Sequence, residues 1–115
     1  FFKTGQSCDA IFSNNDTMAL GACKALKDQG MDPASIPVTG VDATADGCAS
    51  IAAGEMAFTV FQDADGQGKA AVAAAAALGK GKTISSVKGA TEDEMFVWVP
   101  FVPVDASNVS QYQQK

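Results

Sequence analysis

Apolar and polar residues follow one another along the chain in a pattern that predicts repeated strand and helix pairs. The segment from Cys8 to Ser13, built on Ile11 and Phe12, has the β-rich character of a short strand. A helix is predicted from Thr17 to Gln29, because apolar residues recur there at the spacing of one helix face. Those residues are Ala19, Ala22, Cys23 and Leu26. Gly30 then supplies a left-handed stop, so an amphipathic helix follows the first strand.

The same order occurs twice more. Val38 to Val41 is the second predicted strand, and Thr44 can cap a helix that Gly54 ends. Ala57 to Phe61 is the third strand, followed by an alanine-rich helix from about Gln67 to Leu78. Strands that alternate with helices form right-handed βαβ units. The predicted fold class is therefore α/β, with a parallel sheet and helices on both faces.

The last third of the chain departs from the repeat. The alanine-rich helix has few polar residues after Lys69, which predicts burial on more than one side. The β-rich run from Phe96 to Val104 contains Pro100 and Pro103, so it is expected to form an edge or crossing strand. Asp105 to Lys115 is a polar tail with room for one or two helical turns.

The amino-acid composition limits the kinds of functional site that the chain can contain. The 115 residues allow one compact core, and 47% hydrophobic with 18% charged residues is typical of a folded protein. Histidine is absent and all eight basic residues are lysines, which excludes histidine-based nucleophilic catalysis and arginine clamps on phosphate. A net charge of −5 argues against nucleic acid as a partner. We expect no enzyme, no cofactor and no metal.

The three cysteines and the first residues carry less information. Cys8, Cys23 and Cys48 have no metal-site or redox spacing, so we interpret them as small buried hydrophobic residues, with a Cys8–Cys48 disulfide left open. Phe1 and Phe2 stand before a turn-like segment and resemble the end of a helix that began earlier, so we expect the chain to be a fragment.

Polar side chains follow each predicted strand. They are Asn14-Asn15-Asp16 after the first, Asp42 after the second and Gln62-Asp63 after the third. Parallel strands end at one edge of a sheet, where α/β proteins bind ligands. Amides and a carboxylate without a cationic group suit a polyhydroxylated ligand better than an anion. The competing interpretation is structural, with Asn14 or Asp16 capping a helix and the others lying in turns.

Four segments, in this order, resemble the C-terminal portion of type I periplasmic sugar-binding proteins of ABC transporters, of the ribose and galactose/glucose receptor type. The segments are Ile11 to Gly21, Val38 to Thr44, Thr59 to Gln62 with Asp63, Gln67 and Gly68, and Trp98 to Val104. The resemblance implies that Asn15, Asp42 and Gln62 hydrogen-bond a monosaccharide or cyclitol, and that the protein is exported to the periplasm or held outside the membrane by a lipid anchor.

The resemblance also implies a domain plan and partners. Residues 1–62 would form part of a C-terminal lobe, residues 63–97 would pack on a missing N-terminal lobe, and residues 98–115 would return as a crossing strand and tail. An ABC permease would receive the closed receptor. Two alternatives are the effector-binding core of lactose-repressor-type regulators, which has the same fold, and a small α/β enzyme that uses Asp42.

Overall fold

The computed structural model describes residues 1–113, so the tail residues Gln114 and Lys115 lie outside the described part. The chain divides into two compact units. The first comprises Phe1–Gln62 with Val102–Lys115, and the second comprises Asp63–Phe101. Among the described residues, no helix combines the length and the apolar character that a membrane span requires.

The first unit is built on a four-stranded sheet in the order β1-β2-β3-β4. Strands β1 (Ile11–Phe12), β2 (Val38–Thr39) and β3 (Phe58–Phe61) are parallel, whereas β4 (Val102–Asp105) is antiparallel to β3. The predicted α/β class is confirmed, with the correction that one edge strand of a mostly parallel sheet runs the opposite way. The edge position suits Pro103, which has no N–H to donate to a second neighbour.

The first two strands are shorter than predicted, but their hydrogen bonding extends toward the polar residues. Ser13 N–H donates to the Thr39 carbonyl at 3.0 Å, and Asp42 N–H donates to the Val60 carbonyl at 2.8 Å. The backbone is therefore held by neighbouring strands up to the positions where the candidate side chains begin.

Two helices cover the sheet of the first unit. Helix α1 spans Asp16–Asp28 and buries Ala19, Cys23 and Leu26 of the predicted apolar face, whereas Ala22 is half-buried. Helix α2 spans Ala45–Ala52 and is capped by Thr44, whose Oγ1 accepts from Gly47 N–H at 3.1 Å. The buried core residues of this unit are Ala19, Cys23, Leu26, Val38, Ala43, Cys48, Ile51, Met56, Val104 and Val109.

Short 3₁₀ turns complete the first unit. One spans Phe2–Thr4, where a helix end was expected, and Gly5 ends it with a φ of 76°. The others span Pro33–Ser35 and Val109–Gln111, the latter within the predicted tail.

The second unit is dominated by helix α3, Ala64–Gly79. It begins three residues before the predicted start because the Asp63 side chain caps it, accepting from Gly66 N–H at 3.0 Å. No residue of α3 is buried, so the described chain does not supply the burial that its alanine-rich composition predicts. After α3, an isolated antiparallel bridge pairs Ala90 with Val97, which lies in the predicted β-rich run from Phe96 to Val104.

Candidate functional site

The structure places the three candidate residues where adjacent parallel strands end. Asn15 precedes α1 directly, Asp42 follows β2 and Gln62 follows β3. The Asp16 N–H donates to the Val41 carbonyl at 2.8 Å, which ties the segment of Asn15 to that of Asp42. The predicted convergence of strand ends on one edge is therefore present in the backbone.

Asp42 and Gln62 are in direct contact. Gln62 Nε2 donates a hydrogen bond to Asp42 Oδ1 at 2.9 Å. Asp42 is exposed and Gln62 is half-buried. Asp42 Oδ2 and Gln62 Oε1 have no hydrogen-bond partner within residues 1–113, so the pair presents two acceptors to an incoming ligand.

Asn15 serves as a helix cap and retains a free donor group. Its Oδ1 accepts from Met18 N–H at 2.9 Å, which is the structural role that the sequence left open for this segment. Its Nδ2 has no partner within residues 1–113, and no hydrogen bond joins Asn15 to Asp42 or Gln62. Capping and ligand binding are therefore compatible, because they use different atoms of the same amide.

Asp16 has a role that the sequence did not reveal. Its carboxylate is completely buried and accepts from Thr44 N–H at 2.7 Å, from Thr44 Oγ1 at 3.1 Å and from Thr59 Oγ1 at 2.5 Å. A buried carboxylate requires such donors, because an unpaired charge in the interior is very costly. Asp16 is thus an internal link between three segments rather than a group available at the edge.

Two glycines make room for the Asp16 carboxylate. A Cβ atom added at Gly40 would lie 2.3 Å from Asp16 Oδ1, and one at Gly47 would lie 2.3 Å from Asp16 Oδ2. Both distances are far below van der Waals contact, so a side chain at either position would have to displace the carboxylate.

The turn that carries Asp42 has an unusual backbone. Asp42 has a φ of 114° and Ala43 a φ of 51°, both in a region that residues other than glycine adopt at a cost of about 1–3 kcal/mol each. Ala43 N–H donates to Thr59 Oγ1 at 3.2 Å, and Thr44 N–H donates to Asp16. These buried contacts hold the turn in its strained conformation.

The cysteines lie outside this arrangement and all three are free. Cys23 and Cys48 are buried, as interpreted from the sequence, whereas the same interpretation was wrong for Cys8, which is half-buried. Burial raises the pKa of the Cys48 thiol, and the nearby Asp16 charge raises it further. Burial, followed by the charge of Glu55, raises the pKa of Cys23. Residues 1–113 contain no cluster of histidine, cysteine or acidic side chains that could hold a metal ion.

The three candidate residues lie outside the two cavities described next. The cavities of about 600 Å³ and 540 Å³ lie within the second unit and are lined by none of the three. The larger one runs along α3 near Val72, and the other includes Lys69 and Trp98.

Comparison with known proteins identifies relatives over most of the chain. A profile of the periplasmic binding protein domain matches residues 1–83. A protein from Rhizobium meliloti described as rhizopine-binding is 40% identical over the whole chain, which covers 34% of that relative. A D-galactose/methyl-galactoside binding periplasmic protein of Haemophilus influenzae is 38% identical over 90% of the chain, which covers 30% of that relative.

Solved structures agree with the sequence comparison. An ABC transporter solute-binding protein from Bacillus halodurans with bound myo-inositol has a TM-score of 0.76 and 35% identity, over 97% of this chain and 35% of its own. An ABC transporter periplasmic solute-binding protein from Actinobacillus succinogenes with bound D-allose has a TM-score of 0.73 and 26% identity, over 92% and 34%.

The comparisons also bear on length and chemistry. The chain spans about a third of the length of the curated relatives it matches. The relatives reported above are described as binding proteins, which agrees with the expectation that this chain is not an enzyme. The sequence resemblance and the mostly parallel fold agree with the profile match. The chain therefore belongs to the periplasmic binding protein family.

Proposed function

We propose that this chain forms one wall of a cleft that binds a monosaccharide or cyclitol, in the solute-binding component of an ABC sugar importer. Asn15, Asp42 and Gln62 are the ligand-binding residues in this proposal. The observation that carries it is the Asp42–Gln62 pair, joined at 2.9 Å where neighbouring parallel strands end.

The free atoms at this edge match the chemistry of a polyol. Asp42 Oδ2 and Gln62 Oε1 accept from hydroxyl groups, and Asn15 Nδ2 donates to a hydroxyl oxygen. A hydrogen bond to a carboxylate is charge-assisted and roughly twice as strong as a neutral one. The chain has neither arginine nor histidine, so nothing at this edge offers an anionic ligand the bidentate partner it prefers.

The names of the relatives support the same ligand class. They include proteins described as binding D-galactose, ribose and xylitol, and structures with bound myo-inositol and D-allose. All of these ligands carry several hydroxyl groups on adjacent carbons. Several relatives are described as ABC transporter solute-binding proteins or as an import binding protein, which favours a transport role over the repressor alternative.

A complete cleft needs a second wall. We infer that an N-terminal lobe supplies it, since the relatives are about three times as long as this chain and Asp42 is exposed. Residues 63–97 would pack on that lobe through the exposed apolar surface of α3, including Val72 and Leu78, and residues 98–115 would return as a crossing strand and tail. The receptor would act outside the cytoplasmic membrane and deliver its sugar to a permease.

Replacement of Asp42 by alanine in the complete receptor tests this assignment. Loss of a charged acceptor in a closed site is expected to cost about 2–4 kcal/mol, or roughly 30- to 700-fold in Kd. Calorimetry with myo-inositol, D-ribose, D-galactose and D-allose measures it. Asp28→Ala is the matched control, because Asp28 is an exposed carboxylate on α1 whose partner is Lys24. Equal sugar affinity in Asp42→Ala and wild type would refute the assignment.

A further inference from the structure

We propose that the buried carboxylate of Asp16 is a positioning residue that fixes the Asp42 turn for sugar binding. This inference rests on the proposed function, because it concerns how the same edge keeps its shape. Asp16 itself does not reach a ligand, since its side chain is completely buried. It acts through the backbone of the turn and through Thr59.

The contacts of Asp16 reach all three segments that carry candidate residues. Asp16 follows Asn15 directly in the chain. Its Oδ2 accepts from the N–H and the hydroxyl of Thr44, two residues after Asp42. Its Oδ1 accepts from the hydroxyl of Thr59, three residues before Gln62. One carboxylate therefore fixes the mutual arrangement of three strand ends.

The hydrogen-bond directions leave little freedom in this network. The Thr44 hydroxyl accepts from Gly47 N–H at the start of α2, so its proton is directed to Asp16. The Thr59 hydroxyl accepts from Ala43 N–H, so its proton is also directed to Asp16. An ionised carboxylate is the one side-chain group that accepts at both oxygens and donates at neither.

The conformation of the Asp42 turn explains how this hydrogen-bond network affects ligand binding. Asp42 and Ala43 both have positive φ, at 114° and 51°, and such residues persist only where surrounding contacts determine their conformation. The Ala43 and Thr44 amides immediately after Asp42 are those held by Thr59 and Asp16. When these acceptors are lost, the turn relaxes and Asp42 moves away from Gln62.

The experiment compares paired variants of the complete receptor. Thr59→Val removes the hydroxyl at nearly constant shape, and Thr59→Ser retains it. Asp16→Asn replaces one acceptor oxygen by a donor, with Asp28→Asn as the exposed control on the same helix. Ile51→Val is the control for general destabilisation, since Ile51 is buried in α2 and its side chain has no group that could join the hydrogen-bond network. Each variant is examined by hydrogen exchange of the Ala43 amide and by calorimetry with myo-inositol, D-ribose, D-galactose and D-allose.

We expect Thr59→Val and Asp16→Asn to accelerate Ala43 exchange about 10- to 100-fold relative to the Ala19 amide of α1, and to weaken sugar binding by about tenfold or more. Thr59→Ser, Asp28→Asn and Ile51→Val should leave the exchange ratio and the affinity close to wild type. If Asp16→Asn does not fold, the Thr59 pair decides the outcome.

Two results would overturn the inference: an unchanged Ala43 exchange ratio in Thr59→Val, or unchanged affinity in a variant whose turn has loosened. A wild-type receptor that binds neither myo-inositol nor any of the three sugars would instead refute the proposed function. The exchange ratio would still decide whether Asp16 and Thr59 hold the turn, so the two failures are distinguishable.

Discussion

Substitution of Gly47 by alanine sets a helix preference against a steric clash, and the structure decides which prevails. Gly47 is the third residue of α2, where alanine would be favoured over glycine by up to about 1 kcal/mol. The new Cβ would lie 2.3 Å from Asp16 Oδ2, 2.6 Å from Cγ and 3.0 Å from Cβ. The clash therefore involves the base of the Asp16 side chain as well as its tip.

The size of the destabilisation depends on which atoms the new Cβ displaces. Insertion of an extra methyl group into a well-packed interior destabilises the fold by about 1–3 kcal/mol. Displacement of the carboxylate also weakens at least one bond to Thr44 or Thr59, and hydrogen bonds to charged groups contribute about 1.5–3 kcal/mol. After subtraction of the helix preference, Gly47→Ala is expected to lower the free energy of unfolding by about 1.5–5 kcal/mol.

Urea denaturation followed by circular dichroism measures this effect, with Gly21→Ala as the control. Gly21 lies in α1, and a Cβ there meets nothing within 4 Å, so alanine should stabilise by about 0.5–1 kcal/mol. The Asp16→Ala background removes the carboxyl atoms but keeps the Asp16 Cβ at 3.0 Å, so Gly47→Ala should be less destabilising in that background than in wild type. A single Gly47→Ala variant as stable as wild type would show that the carboxylate does not occupy the position described.

The remaining predictions concern Asn15 and the thiols. Asn15→Asp keeps the oxygen that accepts from Met18 N–H but loses the amide donor. The free energy of unfolding should therefore change by less than about 1 kcal/mol in thermal denaturation, while calorimetry should show weaker sugar binding. A loss of stability with full affinity would contradict the assignment of Asn15 as a ligand-binding residue. In the native protein a thiol reagent should react first with Cys8, and with Cys23 and Cys48 only after denaturation. Because the folded-state pKa of both buried thiols is raised, their contribution to stability is complete below the ordinary value near 9.0 and is lost as pH rises above it, and denaturation at pH 8 and pH 10 tests this.

The elements that the sequence predicted well are those determined by local pattern. Helix α1 was found nearly to the residue because its apolar spacing and its terminal Gly30 are properties of one short segment. The start of α3 was missed because its capping residue, Asp63, stands next to Gln62 and looked like part of the strand end. The antiparallel direction of β4 depends on the path of the chain between strands, which periodicity does not encode.

The predicted topology brought the three candidate side chains to one edge of the sheet, but the sequence did not predict the Asp16 hydrogen-bond network beneath that edge. Asn15 and Asp16 are adjacent, similar in shape and equally able to cap a helix. The structure exposes part of Asn15 and buries Asp16 completely, because Thr44 and Thr59 supply donors from segments 28 and 43 residues away. Only the fold shows which of two similar neighbours meets those donors.

The sequence nevertheless contains a signal for this support, in residues that are locally unfavourable. Gly40 interrupts a β-rich run, and Gly47 lies within a helix, although glycine is disfavoured in both settings. Asp42 and Ala43 adopt positive φ without being glycines. All four positions meet at the Asp16 and Thr59 side chains or at the turn they hold. Since natural sequences otherwise agree with their local structure, such violations concentrated around one buried carboxylate indicate that tertiary contacts there outweigh local preference.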